Sequence, residues 1–303
     1  MPELPEVQTI VNDLNESIKG KTIIGLRYCD APKLIKGAVL ADFKKRIKNR
    51  KIEKVERRAK NIIIFLSGEM LLTIHLKMTG HIIIISNSQF PISNGRVVSR
   101  QYIKKGRWVG ENLPEVLQDP RNQYIHIVLE LSGGYILAYS DVRKFGEWRL
   151  VKRDYLSSLE SKLGPEPLDP KFTFDVFQSI IGRSTGKIKS VLMDQAKFSG
   201  IGNIYGDEIL FYAGVRPDRT IKSLKTKELV KIYKSIRPVL EKAIKYRGSS
   251  ESDFRDAFGL KGHYQEHSFV YRKEKQRCGK CGGVVKKIRI GQRSAHYCTK
   301  CQK

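Results

Sequence analysis

A change of hydrophobic period divides this chain, and it limits the fold more than any other feature. Up to about Arg153, short β-branched or aromatic runs recur between Gly, Ser and Asn, at 62–66, 71–76, 82–85, 124–131 and 135–140. Such runs read as strands. From Thr173 the apolar positions take helical spacing. Phe174, Phe177, Ile180 and Ile181 share one face, Ile188, Val191 and Leu192 a second, and Leu229, Ile232, Ile236, Val239 and Leu240 a third. Between the two patterns lies Leu163-Gly164-Pro165-Glu166-Pro167, a Pro/Gly-rich linker. The polar stretch 87–123 carries Arg100, Lys104, Lys105 and Arg107 with weak periodicity, and reads as a surface excursion with one short helix near 114–117. Strands first and helices afterwards specify an α+β chain of two domains.

Charge narrows the partner. The 303 residues hold 57 Lys plus Arg against 31 Asp plus Glu, a net charge of +26. A polyanion is the default partner, because each neutralised phosphate releases condensed counterions. The basic residues cluster, with ten from Lys44 to Lys60 and eleven from Phe269 to Lys303, where Glu274 is the lone acid. No apolar run is long enough to span a bilayer and no signal peptide is visible, so a cytoplasmic protein is expected.

Four of the five cysteines form Cys278-x-x-Cys281 and Cys298-x-x-Cys301, with 16 residues between the pairs. This doubled spacing lets four thiolates converge on one Zn²⁺. A redox pair or two disulfides are the weaker readings. Residues 284–289 and 295–297 read as short strands around Gly291-Gln292, giving a hairpin that the metal shapes and whose basic residues face DNA. Four thiolates leave no open position for a catalytic water, so the zinc is structural. Cys29 stands alone.

At the other end, Met1-Pro2-Glu3-Leu4-Pro5-Glu6 runs directly into an amphipathic helix bearing Val7, Ile10, Val11, Leu14 and Ile18. With Met1 removed, the chain begins with the secondary amine of Pro2 beside two carboxylates. An α-amine with a pKa near ~8 is a usable nucleophile at neutral pH, suited to Schiff-base chemistry. The same string is also an ordinary helix start. In the helical half, Phe198-Ser-Gly-Ile-Gly-Asn-Ile-Tyr-Gly206 makes a glycine turn that opens onto a helix N-terminus. Its free amides suit a phosphate of a nucleic-acid backbone, with a plain interhelix turn as the alternative.

Together the N-terminal string, the glycine turn and the cysteine pattern resemble the formamidopyrimidine-DNA glycosylase family, over the chain from Pro2 to Lys303. The resemblance implies an N-terminal β-sandwich with flanking helices, a helix-two-turn-helix module and a zinc-finger β-hairpin. The corresponding boundaries are 1–155 (with the 87–123 excursion), a linker at 156–170, then 171–265 and 266–303. It implies a monomer that acts on double-stranded DNA containing oxidised bases or abasic sites. The activity implied is excision of oxidised purines such as 8-oxoguanine and formamidopyrimidine, followed by β,δ-elimination.

By position, Pro2 matches the family's nucleophile, Glu3 its acid/base, and Glu6 a second acid at that end. Lys60 and Arg293 match the residues assigned to the lyase steps and to phosphate. Met78, Arg143 and Phe145 match the side chains that fill the gap left by an extruded base, and Asn203 a backbone-contacting asparagine. Two positions depart from the family pattern. Tyr124-Ile-His126 stands where His-Asp-His is common, and the basic position before the glycine turn aligns near Ser184, with Lys187 and Lys189 close by. Tyr124 and Lys189 therefore join the expected DNA contacts. Residues 248–264 resemble the family's flexible loop over the extruded base. An endonuclease VIII-like enzyme acting on oxidised pyrimidines is one rival reading, and a non-catalytic nucleic-acid-binding module is another; Leu4 favours the first-named family.

Overall fold

The computed structural model describes residues 1–86, 92–93, 96–97, 103–104, 106–109, 113 and 115–303. The chain divides into two compact units, one formed by Met1–Pro2, Glu6–Leu156 and Ser249–Gly262, the other by Glu3–Pro5, Ser157–Gly248 and His263–Lys303.

The first unit opens with α1 (Leu4–Ile18). Pro5 sits in its first turn, where no N–H donor is needed, and Gly20 at φ +84° follows its end. Val7, Ile10, Val11, Leu14 and Ile18 are at most 3 % exposed, each burial stabilising by roughly 1.5–3 kcal/mol. Then come β1 (Thr22–Cys29), α2 (Leu40–Ile47), β2 (Arg50–Arg58), β3 (Asn61–Leu66), β4 (Met70–His75) and β5 (Gly80–Ser86). Four two-residue strands follow, β6 (Ile92–Ser93), β7 (Arg96–Val97), β8 (Ile103–Lys104) and β9 (Arg107–Trp108), then α3 (Glu115–Gln118) and a 3₁₀ turn at Pro120–Gln123. β10 (Ile125–Leu131), β11 (Tyr135–Asp141) and β12 (Glu147–Lys152) complete the unit's strands.

The strand order is β12-β4-β3-β2-β1-β10-β11-β5, all antiparallel. The sheet halves are joined by a short ladder, Thr22–Lys51 and Ile23–Arg50. Apolar residues of both halves, among them Ile62, Ile64, Leu72, Ile82, Ile127 and Leu137, enclose one core with α1. This is the expected sandwich-like α+β architecture.

Alternation by two sends Ile83, Ile85, Val128, Ile136 and Ala138 to the opposite face. There they meet Trp108 and Leu117, which are 4 % and 0 % exposed. The expectation of a surface excursion over 87–123 lies partly outside the described residues, Arg100 and Lys105 included. Within them it needs correction, because the returning limb caps a second apolar layer. Trp108 Nε1 donates to the Asn122 carbonyl at 3.0 Å, which completes that cap.

The second unit is helical: α4 (Tyr155–Glu160) at its border, then α5 (Phe174–Gly182), α6 (Ile188–Leu192), α7 (Asn203–Ala213), α8 (Thr226–Lys245) and α9 (Tyr264–His267). All three apolar stripes enter one core, in which Phe172, Phe174, Phe177, Phe198 and Tyr233 contact edge-on, tilted or, for Phe174 and Phe177, stacked. The 163–167 segment is packed, with Gly164 donating to the Gln195 carbonyl at 2.8 Å. β13 (Val285–Ile290) and β14 (Arg293–Cys298) form the terminal hairpin.

Candidate active site and nucleic-acid interface

Glu3 belongs to the helical unit. Its carboxylate, 2 % exposed, accepts from the amides of Ile204 at 2.9 Å and Tyr205 at 3.3 Å, at the N-terminus of α7. The helix dipole favours an anion there. Leu4 N–H donates to the Gly200 carbonyl at 3.0 Å, so the glycine turn holds Glu3 and Leu4 within the helical unit. A Cβ on Gly200 (φ +84°) would lie 2.7 Å from Leu4 Cβ, and one on Gly202 would lie 2.5 Å from Glu3 Oε1. This corrects the reading of the turn as an open phosphate cradle: its helix-end amides at 204 and 205 already hold Glu3. Asn203, the first residue of α7, keeps its side chain against the Tyr271 hydroxyl.

In the sandwich unit Pro2 is buried, and Glu6 accepts from Ser249 N–H at 2.8 Å. Lys60 lies in the tight turn between β2 and β3 beside Ala59 (φ +53°) and is 6 % exposed. Burial first, then the charge of Lys77 and more weakly that of Lys60, push the His75 imidazole down to about 4.

Met78, Arg143 and Phe145 come from two loops that the fold joins. Arg143 Nη1 is 3.0 Å from Met78 Sδ, and its guanidinium lies 4.6 Å from the centre of the Phe145 ring. Met78 and Phe145 remain 40 % and 49 % exposed, so their apolar side chains are open to a partner. The residue that joins the loops is Asp141, which is fully buried. Its Oδ1 accepts from the Thr79 hydroxyl and from Arg143 N–H at 3.2 Å, and its Oδ2 from the amides of Phe145 and Gly146, both at 2.9 Å. Sequence reasoning passed over Asp141. Its signal was an acid directly before the Arg143-Lys-Phe145-Gly146 turn, the Asx pattern that caps backbone amides. Tyr124 is tied to the same place, its carbonyl accepting from Asp141 N–H at 2.9 Å.

Lys189 departs from the expected DNA contact. It is 1 % exposed, with Nζ 2.7 Å from Asp207 Oδ1 and 2.6 Å from the Ser294 carbonyl. A buried ammonium bonded in this way holds β14 rather than standing on the surface. Asp207 Oδ2 also accepts from His296 N–H at 2.9 Å. Arg293, next to Ser294, is exposed and borders a cavity of about 240 Å³ with Lys189, Ser190 and Gly291.

The Sγ atoms of Cys278, Cys281, Cys298 and Cys301 all lie within 4.8 Å of one another, with 3.9 Å between Cys278 and Cys301 and 3.4 Å between Cys281 and Cys298. Four thiolates at about 2.3 Å from a tetrahedral Zn²⁺ stand roughly 3.8 Å apart, so the set fits the ion. The Gly283 amide draws the Cys281 thiol down to about 7, within reach of the thiolate a metal requires.

Three family models match in order: the formamidopyrimidine-DNA glycosylase N-terminal domain over 1–148, its H2TH domain over 163–255, and the zinc finger found in FPG and IleRS over 275–303. The class so defined is a glycosylase scaffold with a zinc-finger tail. Similar proteins include the formamidopyrimidine-DNA glycosylases of Herpetosiphon aurantiacus (34 % identical over 302 residues, all of both chains) and Pelotomaculum thermopropionicum (35 % over 305 residues, 100 % of this chain and 99 % of the other). Among solved structures, Lactococcus lactis Fpg in complex with abasic-site DNA superposes with a TM-score of 0.81 at 30 % identity, covering 99 % of each chain. The wild-type Lactococcus enzyme with an N7-benzyl-Fapy-dG DNA gives 0.81 at 31 %. The chain belongs to the formamidopyrimidine-DNA glycosylase family, and the four cysteines are its zinc site.

Proposed function

We propose that this protein is a bifunctional DNA glycosylase and abasic-site lyase that excises oxidised purines from duplex DNA. The observation that carries the reading is the fixed N-terminus, in which Glu3 is seated on the α7 amides while Pro2 precedes it on the chain. With Met1 removed, the Pro2 nitrogen attacks C1′ of the damaged nucleotide. The glycosidic bond breaks, and the base leaves with its electron pair and takes up a proton, while the Pro2 nitrogen gives up its own. The C1′–O4′ bond of the resulting aminal then opens, O4′ taking a proton, and C1′ is left doubly bonded to the Pro2 nitrogen as an iminium. Loss of a proton from C2′ of the resulting iminium expels the 3′ phosphate, and a second elimination expels the 5′ phosphate. Glu3 exchanges protons beside Pro2, and Lys60 and Arg293 serve the elimination steps and hold phosphate. Met78, Arg143 and Phe145 enter the duplex where the base has left, offsetting an unstacking cost of about a few kcal/mol. The zinc shapes the hairpin that carries Arg293. The Lactococcus lactis Fpg complex with an N7-benzyl-Fapy-dG DNA supports the purine reading, and that enzyme's complex with an oxidised-pyrimidine DNA is why a lesion panel has to include pyrimidines.

Borohydride reduces an imine to a stable amine. The unaltered protein should be trapped covalently on an abasic-site duplex, and Pro2→Gly should abolish or greatly reduce the adduct. Undiminished adduct in that variant would overturn the assignment. A lesion panel separates purine from pyrimidine preference.

A further inference from the structure

The segment Ser249–Gly262 follows α8 in sequence yet belongs to the sandwich unit, where the returning limb of the 87–123 insertion grips it. Arg255, with its side chain 5 % exposed, donates from Nε to Asp119 Oδ2 at 2.9 Å and from Nη2 to Oδ1 at 3.3 Å. Arg121 pairs with Asp253 at 2.8 Å. Asn122, fully buried, donates from Nδ2 to the carbonyls of Gly259 (3.0 Å) and Val116 (2.6 Å), so its Oδ1 accepts from His81 Nε2 at 2.8 Å. Gly259 sits at φ +76°, and a Cβ there would run into Val116 and Asn122. Beyond these contacts, Asp256 Oδ1 accepts from the amides of Phe258 and Leu260, both at 2.9 Å, in a turn that leaves Phe258 37 % and Leu260 57 % exposed.

We propose that residues 119–122 are a brace that pre-forms the 253–260 turn, making Asp119 and Asn122 positioning residues for recognition of the extruded base. The proposal rests on the reading above, in which 248–264 covers that base. A loop already ordered before the lesion arrives loses less conformational freedom on binding than one that must be ordered then. The turn so held offers Phe258 and Leu260, apolar groups suited to the flat face of a heteroaromatic base. An abasic site has no base to cover, so its processing does not draw on the brace.

The test compares Asp119→Ala with the unaltered protein on two duplexes of one sequence, one bearing 8-oxoguanine and one an abasic site, and follows hydrogen exchange across 253–260. Asp119→Ala should lower excision of the base lesion about tenfold, the equivalent of one charge-assisted hydrogen bond. Abasic trapping should stay within about twofold, the range expected away from the chemistry, while exchange in 253–260 accelerates. Asp119→Asn, which keeps the shape, should give the same pattern in smaller degree. Arg255→Met combined with Asp119→Ala should lose less than the sum of the two single losses, because both remove the same ion pair while Arg255 also donates to the Phe254 carbonyl at 2.8 Å. Unchanged exchange, or equal loss on both duplexes, overturns the brace. Absence of abasic trapping in the unaltered protein would instead overturn the proposed function, and the exchange arm would still decide whether 119–122 holds the turn.

Discussion

Replacing Gly202 by Ala should disable the N-terminus from a position some 200 residues away. The backbone at Gly202 is extended (φ −136°), a conformation open to any residue, so the effect comes from contact. The new methyl would lie 2.5 Å from Glu3 Oε1 and 2.8 Å from Cγ, where ordinary contact begins at 3.4 Å. Either the carboxylate or the start of α7 must retreat by roughly 1 Å, a displacement that can cost about 10²-fold in rate when it misplaces a catalytic group. The hydrogen bond that Glu3 Oε1 accepts from Ile204 N–H, now 2.9 Å, would break. A charge-assisted hydrogen bond of a buried carboxylate is worth about 1.5–3 kcal/mol, and the helix-end dipole adds about 0.3–1 kcal/mol. Gly202→Ala should therefore lose about 2–3 kcal/mol in urea unfolding and about two orders of magnitude in the rate of borohydride trapping on an abasic duplex. Gly182→Ala is the control, since nothing lies within 4 Å of a Cβ there. If Gly202→Ala unfolds and traps like the unaltered protein, the coupling of glycine turn to Glu3 is wrong.

Other outcomes follow from buried groups. Burial holds the His81 imidazole down at about 4, against about 6.5 in an unfolded chain. The depressed value means its stability is intact above pH ~6.5 and declines as pH falls towards ~4, because the unfolded state takes the proton first. At pH 5 the loss is about 2 kcal/mol, and His81→Gln should flatten that part of the urea-midpoint profile. Asp141→Asn keeps one accepting oxygen of two, so the amides of Phe145 and Gly146 or the Thr79 side lose their partner. A drop of about 2–3 kcal/mol in stability and weaker duplex binding by fluorescence anisotropy should accompany it. Removing the metal with a chelator should release one zinc per chain and melt the 275–303 hairpin, abolishing DNA binding while the sandwich unit keeps its unfolding transition.

The strands whose apolar residues run almost continuously were legible in the sequence, because a two-sided core demands that composition, whereas β1 and β12, with fewer buried positions, were not among the expected runs. β3, β4, β5, β10 and β11 all fall within a residue or two of the expected runs. β2 was not legible as a strand. Only Ile52 and Val55 are buried along it, three apart across a break in register at Ile52/Lys54, and the charged residues around them read as a basic cluster. The cysteine spacing carried its own geometry, and so did the N-terminal string. What the sequence could not mark is where a polar side chain ends up. The glycine turn looked like a ligand cradle because its amides were counted as free, whereas the ligand is Glu3, 200 residues earlier in the chain. Lys189 looked like a surface base because nothing local names Asp207 and Ser294 as its partners. Asp141 and the Asp119–Arg255 pair depend on tertiary closure in the same way.

These burials also bear on the charge with which the chain meets DNA. Among the described residues seven acids are buried, Glu3, Glu6, Asp13, Asp141, Asp207, Glu208 and Asp256, against three bases, Lys60, Lys189 and Arg255. A lone buried carboxylate is costly, and most of these offset that cost by accepting backbone amides: Glu208 takes those of Phe269, Val270 and Tyr271, and Asp256 those of Phe258 and Leu260. Lys and Arg carry no acceptor and cannot cap loop amides, so loop organisation falls to acids. In a chain already at +26, drawing acids inward leaves the surface more basic than the composition states. One set of side chains thus fixes the loops of the site and strengthens the field that gathers a polyanion, so binding should weaken steeply with added salt.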